Sequence, residues 1–329
     1  MSEKLLAEIR GRMEQARHVA VVGHVRPDGD SIGSVLGLGL ALQAAGKEVQ
    51  MCSGDGVPVA FHHLVGSDQI GRALHMPLDL VIAVDMSDID RLGADLPADL
   101  VSARQEAGLP LVDICIDHHA TNDNFAGLSL VEDWEVAVAA ILAKYLPAFG
   151  LEISPAVAGA LLTGIITDTI GFRTPNVNAG TLHLAAGLVD KGANLSELYF
   201  KALIEKSFEA AHYWGAGLSK IRRENGIVWT TLTVEDRKAA GYGGNDDADL
   251  VNELASIKGA MVAVMFIEQA DNTVKISWRA KPGCDVSQVA VQFGGGGHKV
   301  ASGAMIEGGL EVVCEKVLAA TKLVLNEHP

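Results

Sequence analysis

Short apolar segments alternate with longer amphipathic segments in the first half of the chain. Four runs have the length and residue types of strands: HVAVVGH at 18–24, KEVQMCS at 47–53, LDLVIAVD at 78–85 and LVDICID at 111–117. Helical spacing separates these runs, most clearly at 30–45 and 133–148. Strands that alternate with helices predict an α/β fold whose first domain has a doubly wound, mostly parallel sheet.

In the second half of the chain, helical segments come first and further strand-like runs follow. The run SPAVAGALLTGIITDTIGF at 154–172 predicts a helix with a serine cap and a proline in its first turn. A further helical stretch, 181–211, is interrupted near Gly192, and strand-like runs at 226–233, 260–269 and 273–280 follow, with helices at 249–259 and at the end. We therefore expect a first domain over 1–190, a helical connector over 191–215 and a smaller mixed α/β domain over 216–329.

Composition limits the classes of protein. A hydrophobic share of 49% and a charged share of 20% are typical of an ordered globular chain. The net charge of −15 argues against a protein that coats long nucleic acid. The start of the sequence lacks the pattern of a signal peptide, no apolar stretch approaches the roughly 20 residues of a membrane span, and the four cysteines form no CxxC pair. We expect a cytoplasmic protein.

Metal-binding side chains gather where the predicted strands and one helix end. They are His24, Asp28 and Asp30 in GHVRPDGD, Asp85 in VIAVD, Asp117, His118 and His119 in DHHATN, and Asp168 in GIITDT. In a doubly wound sheet the carboxyl ends of the strands line the ligand crevice. Most of these residues would therefore meet at one edge of the sheet.

Each cluster taken alone has a structural explanation. Asp30 would serve as a helix cap, Asp85 would pair with Arg91, and Asp168 would simply end a helix. In combination, two of these histidines and four of these carboxylates at one sheet edge suit a pair of divalent cations. Because no cysteine joins them, they favour Mn²⁺ or a similar ion over structural zinc.

A second candidate site lies in FGGGGHKVASGAM. Without side chains, Gly294–Gly297 would let the backbone approach a phosphate and direct several N–H groups at it, with His298 beside them. Arg279 follows a strand and would clamp a phosphate. The alternatives are a flexible linker and a solvated arginine. Gly33 and Gly37, in GLGLAL and just before it, are expected to let their helix pack closely on the sheet.

The order of these motifs resembles that of the DHH phosphoesterases. GHVRPDGD, VIAVDMSD, DHHATN and GIITDT follow the four DHH motifs, and FGGGGHKVASGA is similar to the signature of the associated DHHA1 domain. The resemblance runs from about residue 18 to 305 and is strongest to the bacterial nano-RNase A branch, the oligoribonucleases and phosphoadenosine-phosphate phosphatases. One departure is Ile170, which stands where that family usually has glycine after TDT.

The resemblance implies two divalent cations, with Mn²⁺ expected and Mg²⁺ or Co²⁺ as alternatives. By this resemblance the DHH domain cuts and the DHHA1 domain binds substrate. The implied roles are His24 and Asp28 on one ion, Asp30, His118 and Asp168 on the other, Asp85 between them, His119 on the substrate phosphate, Asp117 orienting the neighbouring histidine, and Arg279, Gly294, Gly295, Gly296, Gly297 and His298 on the nucleotide end.

The implied reaction is hydrolysis of very short oligonucleotides, such as pApA and pGpG, or of 3′-phosphoadenosine 5′-phosphate. Its partners would be these substrates alone, with no membrane and no groove for long nucleic acid; a homodimer is left open. Three alternatives stand beside it. They are a manganese pyrophosphatase, a single-strand exonuclease of the same superfamily, and a nucleotide sensor without catalysis.

Overall fold

The structure, a computed structural model, describes residues 3–326. It divides into two compact units, one ending at Glu205 and the other beginning at Lys206. Within residues 3–326, no helix has both the length and the hydropathy needed to cross a bilayer.

The first unit alternates strands and helices as the sequence predicts. Its elements are α1 (Glu3–Gln15), β1 (His18–Val22), α2 (Gly29–Ala44), β2 (Glu48–Cys52), β3 (Ile70–Gly71), β4 (Leu80–Val84), α3 (Ala98–Glu106), β5 (Ile114–Asp117), β6 (Leu128–Val131), α4 (Val138–Tyr145), α5 (Pro155–Asp168), α6 (Ala179–Asp190) and α7 (Leu195–Tyr199). A π-helical turn, Phe200–Ile204, follows α7. The predicted strands are confirmed, whereas β3, β6 and α3 were not predicted.

The sheet of the first unit is entirely parallel. Within residues 3–205 its six strands follow the order β3-β2-β1-β4-β5-β6. The chain winds outward from β1 in one direction and then returns to wind outward from β4 in the other. This confirms the predicted doubly wound sheet and places the change of direction between β1 and β4, where ligands bind in this class of fold.

Both faces of this sheet are covered, because successive strand residues point to opposite sides. Val19 and Val21 join the larger core, which packs against α2, α4 and α5. Ala20 and Val22 join a smaller core on the opposite face, together with Leu100 of α3. Strands buried on both faces explain the nearly continuous apolar runs in the sequence.

The second unit is a mixed α/β structure, as predicted. Its elements are α8 (Phe208–Leu218), β7 (Arg222–Glu224), β8 (Ile227–Leu232), α9 (Val234–Ala240), α10 (Leu250–Ser256), β9 (Val262–Glu268), β10 (Thr273–Ala280), α11 (Ser287–Gln292), β11 (Gly296–His298), β12 (Ala301–Glu307) and α12 (Leu310–Asn326). Within residues 206–326, the strand order is β11-β12-β10-β9-β8-β7, with β8 and β9 parallel and the other neighbours antiparallel.

Two helix predictions differ from the structure. The helix expected over 133–148 begins only at Val138, and residues before it form a turn. The stretch expected over 181–211 is several short elements rather than two long ones. By contrast, α5 begins as predicted, because the Ser154 side chain accepts a hydrogen bond from the Val157 N–H and Pro155 occupies the first turn.

Candidate metal centre

The residues at the sheet edge come from three adjacent strands. His24 follows β1, Asp85 follows β4 directly, and β5 ends in Asp117 before the two histidines. Since β1, β4 and β5 are neighbours in a parallel sheet, their carboxyl ends lie side by side. The structure therefore brings these residues together at the point where the winding of the sheet reverses.

His24 is held so that one ring nitrogen faces the cluster. Its Nδ1 lies 2.8 Å from the Val25 carbonyl oxygen, an arrangement in which Nδ1–H donates. Its Nε2 lies 3.4 Å from Oδ2 of Asp85 and 3.8 Å from Oδ1 of Asp28. The ring is buried, and because Nδ1 is occupied by the carbonyl oxygen, Nε2 is the nitrogen that faces the carboxylates.

Asp28 and Asp30 accept hydrogen bonds from the N-termini of different helices. Asp28, rather than Asp30, caps α2: its Oδ1 accepts the N–H groups of Asp30 and Ser31, each at 3.0 Å. Asp30 is buried and instead accepts the N–H groups of Val138 and Ala139, at 2.6 and 2.9 Å. These two donors belong to the N-terminus of α4, where the helix dipole favours a negative charge.

Close packing of α2 and α5 sets the position of Asp30. A methyl group at Gly33 would lie 2.5 Å from the Ala160 carbonyl oxygen, and one at Gly37 would lie 2.4 Å from the Leu161 side chain. The expectation that Gly33 and Gly37 pack on the sheet is therefore wrong, because both face α5.

The same contact brings Asp168 to the cluster. A methyl group at Gly164 of α5 would lie 2.7 Å from Oδ1 of Asp30, so the two helices touch where the carboxylates are. Asp168 ends α5, and its Oδ2 lies 3.6 Å from Nε2 of His118. A residue distant from the strands in sequence thus reaches the same edge.

Asp85 lies between two histidines. Its Oδ2 faces His24, and its Oδ1 lies 3.7 Å from Nε2 of His118, with only 2% of the residue exposed. Its backbone adopts a left-handed φ of 61°, a conformation that non-glycine residues seldom adopt. Among the ion pairs of residues 3–326, none joins Asp85 to Arg91, the alternative that the sequence left open.

The two adjacent histidines face different partners. Nδ1 of His118 lies 3.3 Å from the Glu135 carbonyl oxygen, which leaves Nε2 directed at Asp85 and Asp168. Nδ1 of His119 lies 2.7 Å from Oδ1 of Asp117. The histidine that Asp117 contacts is therefore His119.

Asn122 is a member of the site that the sequence did not single out. Its Nδ2 donates to Oδ2 of Asp117 at 2.7 Å and to the Met86 carbonyl oxygen at 3.1 Å. Asp117 is completely buried, so each of its oxygens has a defined partner. An amide residue five positions after a strand-end aspartate was the available signal.

The electrostatics of the cluster call for positive charge. Burial, followed by the charges of Asp85, Asp168 and Asp28, raises the pKa of Asp30 well above its usual value. Burial is also the largest influence on Asp168, and together with Asp85 and Asp28 it outweighs His118 and raises the pKa to about 7. Crowded, buried carboxylates of this kind bind protons or cations.

Burial acts on the imidazoles in the opposite direction, but their net pKa shift is also upward. Burial, the largest single influence, lowers the pKa of His24, but hydrogen bonds and charge from Asp28 and Asp85 together outweigh it and raise the pKa to about 10. Burial likewise lowers the pKa of His119, and Asp117 and Asp85 outweigh it, so that the net shift is upward. In the protein alone, protons on these groups offset the carboxylate charges.

The donor set fits divalent cations. Three groups have ligand atoms within 4.8 Å of one another: His24, Asp28 and Asp85; Asp30, His118 and Asp168; and Asp85, His118 and His119. The donors are imidazole nitrogens and carboxylate oxygens, which suit Mn²⁺ and Mg²⁺ better than soft, thiolate-bound metals.

Arg279 and His298 share one face of the sheet in the second unit. Arg279 on β10 is paired with Ala301 on β12, which is paired in turn with His298 on β11, so their side chains leave the same side. Nε of Arg279 donates to Oδ1 of Asn252, and Nη1 donates to the Trp278 carbonyl oxygen, both at 3.0 Å. No motif in the sequence points to Asn252.

The glycine run is built into a helix end and a strand rather than forming a flexible linker. The N–H groups of Gly294 and Gly295 donate to carbonyl oxygens at the end of α11, at 3.0 and 2.9 Å. They are not directed at a phosphate, because they end a helix. Gly296 and Gly297 lie in β11, and a methyl group at Gly297 would lie 2.6 Å from the Ala301 carbonyl oxygen.

Comparisons with known proteins find one family model in each of the two compact units. The family model "DHH family, N-terminal domain" matches residues 18–165, and "DHHA1 domain" matches residues 237–327. A Thermus thermophilus protein named "Bifunctional oligoribonuclease and PAP phosphatase NrnA" is 31% identical, over 97% of this chain and 93% of its own length. A Bacillus subtilis protein of the same name is 27% identical, over 93% of this chain and 94% of its own.

A solved structure shares the fold. The crystal structure of an exopolyphosphatase-related protein from Bacteroides fragilis superposes with a TM-score of 0.87 at 24% identity, and the match covers 98% of this chain and 96% of that one. At this level of identity the likeness concerns the architecture of the chain.

Proposed function

Since this chain belongs to the DHH family and carries a DHHA1 domain, we propose that it hydrolyses short oligonucleotides and 3′-phosphoadenosine 5′-phosphate with a pair of divalent cations. Support for the substrate comes from its relatives, whose names describe an oligoribonuclease that is also a PAP phosphatase. By the same proposal, residues 1–190 form the catalytic domain, 191–215 the connector and 216–329 the substrate-binding domain.

The single observation that carries the proposal is the position of Asp85. One of its oxygens faces His24 and the other faces His118, so a single carboxylate would bridge two ions. Asp28 would complete one ligand group with His24, while Asp30 and Asp168 would complete the other with His118. The cations, with Mn²⁺ expected from the mixed nitrogen and oxygen donors, would activate water and neutralise charge on the phosphoryl oxygens.

His119 is the group that would contact the substrate phosphate. Its contact with Asp117 fixes the ring and keeps a proton on Nδ1, and Asn122 holds Asp117 in turn. Because Asp117 and Asp85 favour the charged imidazole, His119 would donate from Nε2 to a phosphoryl oxygen or to the leaving oxygen. By this proposal His118 would be a cation ligand and His119 a proton donor.

Arg279 and His298 would hold the other end of the nucleotide. The hydrogen bond from Arg279 to Asn252 and the one to the Trp278 carbonyl oxygen fix the plane of the guanidinium group. A fixed guanidinium suits bidentate recognition of a phosphate. Gly296 begins β11, two residues before His298, and a methyl group there would meet no atom within 4 Å, which leaves room for the ligand to approach the backbone.

The direct test is a product time course with purified protein and Mn²⁺. The panel contains pApA, pGpG, a five-nucleotide RNA, 3′-phosphoadenosine 5′-phosphate and pyrophosphate. We expect the dinucleotides and phosphoadenosine phosphate to be hydrolysed and pyrophosphate to remain. Preferential hydrolysis of pyrophosphate, or binding of every nucleotide without turnover, would overturn the proposal.

Two matched variants belong to this test. Asp85→Asn removes the bridging charge and should abolish turnover, whereas Asp90→Asn makes the same chemical change at an exposed position of the same loop and should leave it intact. Arg279→Ala should lower kcat/KM for pApA far more than for p-nitrophenyl phosphate, which has no nucleotide end to hold. Equal losses on both substrates would exclude the role assigned to Arg279.

A further inference from the structure

Trp134 is exposed at a place where the surrounding backbone is fixed. Its exposed fraction is 58%, whereas Trp278 is fully buried and donates from Nε1 to Oγ1 of Thr321. Trp214 and Trp229 are half-buried in the second unit. Trp134 is therefore the most exposed of the four tryptophans, and its large apolar surface lies in water at a cost in free energy.

A tight turn presents this side chain. The N–H of Glu135 donates to the carbonyl oxygen of Glu132 at 3.0 Å, which leaves Asp133 and Trp134 at the two corner positions. The turn follows β6 at the carboxyl edge of the sheet, the edge at which His118 and Asp168 lie. It occupies part of the segment that the sequence suggested would be helical.

One end of the turn is anchored in the core. Glu132 is completely buried; its carboxylate accepts from the Tyr145 hydroxyl at 2.5 Å and from Nζ of Lys144 at 2.9 Å. Its N–H also donates to the carbonyl oxygen of Asp117 at 3.0 Å. Lys144 reaches the other end of the turn as well, with Nζ 3.3 Å from Oε1 of Glu135.

The other end of the turn contacts the metal centre. The carbonyl oxygen of Glu135 lies 3.3 Å from Nδ1 of His118, and Nε2 of the same ring lies 3.6 Å from Asp168. Trp134 is bonded directly to Glu135. Trp134 therefore stands one residue from a contact to the cluster, on a turn whose backbone is fixed at both ends.

We propose that Trp134 is a stacking surface for the base of the nucleotide next to the scissile phosphate. This inference rests on the proposed function and adds a base subsite to it. A flat, apolar indole stacks on any nucleobase, and each such contact contributes about 1–3 kcal/mol. The exposed Asp133 carboxylate beside it would repel a phosphate, so the neutral base rather than the backbone of the ligand is the group that fits there.

Kinetics on paired substrates test the subsite. The substrates are pApA and the two analogues of pApA in which either the 5′ or the 3′ nucleotide is abasic. Trp134→Ala should lower kcat/KM for pApA roughly 5- to 150-fold, mostly through KM, while one of the two abasic analogues should be hydrolysed equally well by variant and wild type. Trp134→Phe should recover much of the loss, because phenylalanine also stacks.

The matched control is Leu109→Ala, which truncates a side chain of the same exposure, 58%, in the loop before β5. It should leave all three substrates unchanged. Equal kinetics of Trp134→Ala and wild type on pApA would overturn the inference, as would an equal loss on both abasic analogues.

A binding measurement separates this inference from the proposed function. In EDTA, where no turnover occurs, titration with adenosine 5′-monophosphate should quench tryptophan fluorescence of the wild type, and the quenching should be lost in Trp134→Phe. A wild type that quenches but never hydrolyses pApA would refute the proposed function alone. A wild type that hydrolyses pApA, with quenching that survives in Trp134→Phe, would refute the base subsite alone.

Discussion

Removal of the cations should reverse the way in which stability depends on pH. In the metal-free protein the pKa of Asp168 rises from 3.8 to about 7, mainly through burial and the neighbouring carboxylates. The folded state therefore binds more protons than the unfolded state between these values, and stability falls as pH rises through this window. At about 1.4 kcal/mol for each pH unit, the loss is at most about 4 kcal/mol.

His24 acts in the same direction at higher pH. Its pKa rises from 6.5 to about 10, because Asp28 and Asp85 together outweigh the effect of burial. The stabilisation is fully present below about pH 6.5 and is lost as pH approaches 10, a decrease of at most about 5 kcal/mol. Domains are stable by only about 5–15 kcal/mol, so both effects should be visible in a melting temperature.

The assay is a set of thermal melts between pH 5.5 and 8.5, in EDTA and in saturating Mn²⁺. Ligands must lose their protons to bind a cation, so stabilisation by Mn²⁺ should grow with pH while the melting temperature in EDTA falls. Asp168→Asn should flatten the EDTA curve below pH 7. Asp190→Asn, at the exposed end of α6, should not. Parallel curves in EDTA and Mn²⁺, or stability that rises with pH in EDTA, would refute this reasoning.

Two further predictions concern the backbone around the cluster. Gly164→Ala places a methyl group 2.7 Å from Oδ1 of Asp30. It should lower the free energy of unfolding, measured by chemical denaturation, by about 1–3 kcal/mol and reduce the Mn²⁺ content measured by mass spectrometry. Gly159→Ala on the same helix should do neither. Ile170→Gly should raise the melting temperature, because Ile170 has a left-handed φ of 49° that strains a residue with a Cβ. Ile170→Ala keeps a Cβ and should not raise it. An increase equal to that of Ile170→Gly would contradict backbone strain at this position.

The strand ends were predictable because the signal for them is local. An apolar run that stops at a histidine or an aspartate fixes both the strand and the side chain that follows it. In a parallel sheet the carboxyl ends then meet by geometry alone, so His24, Asp85 and Asp117 fall at one edge without any knowledge of tertiary contacts.

Contacts between distant segments were not predictable in the same way. Asp30 accepts hydrogen bonds from two backbone N–H groups at the start of α4, more than a hundred residues further along the chain. No sequence pattern near Asp30 indicates these donors. The contact of Gly33 with α5 is equally remote in sequence. In both cases the packing of one helix against another determines the partner. The spacing of residues within a single helix does not indicate which helix it will pack against.

Local patterns also misled where tertiary anchors override them. The apolar positions of 136–145 extend the helical pattern back to residue 133, but Glu132 is held by Tyr145 and Lys144, and a turn forms there instead. Within the glycine run, α11 uses the N–H groups of Gly294 and Gly295 for its own end. At both places the structure is determined by hydrogen-bond partners that the local residue pattern does not indicate.

The most direct test of the whole account is anomalous scattering from crystals grown with Mn²⁺. We expect two peaks beside Asp85, one contacted by His24 and Asp28 and the other by Asp30, His118 and Asp168. A single peak, or two peaks of which Asp85 touches only one, would contradict the bridged pair on which the proposed hydrolysis depends.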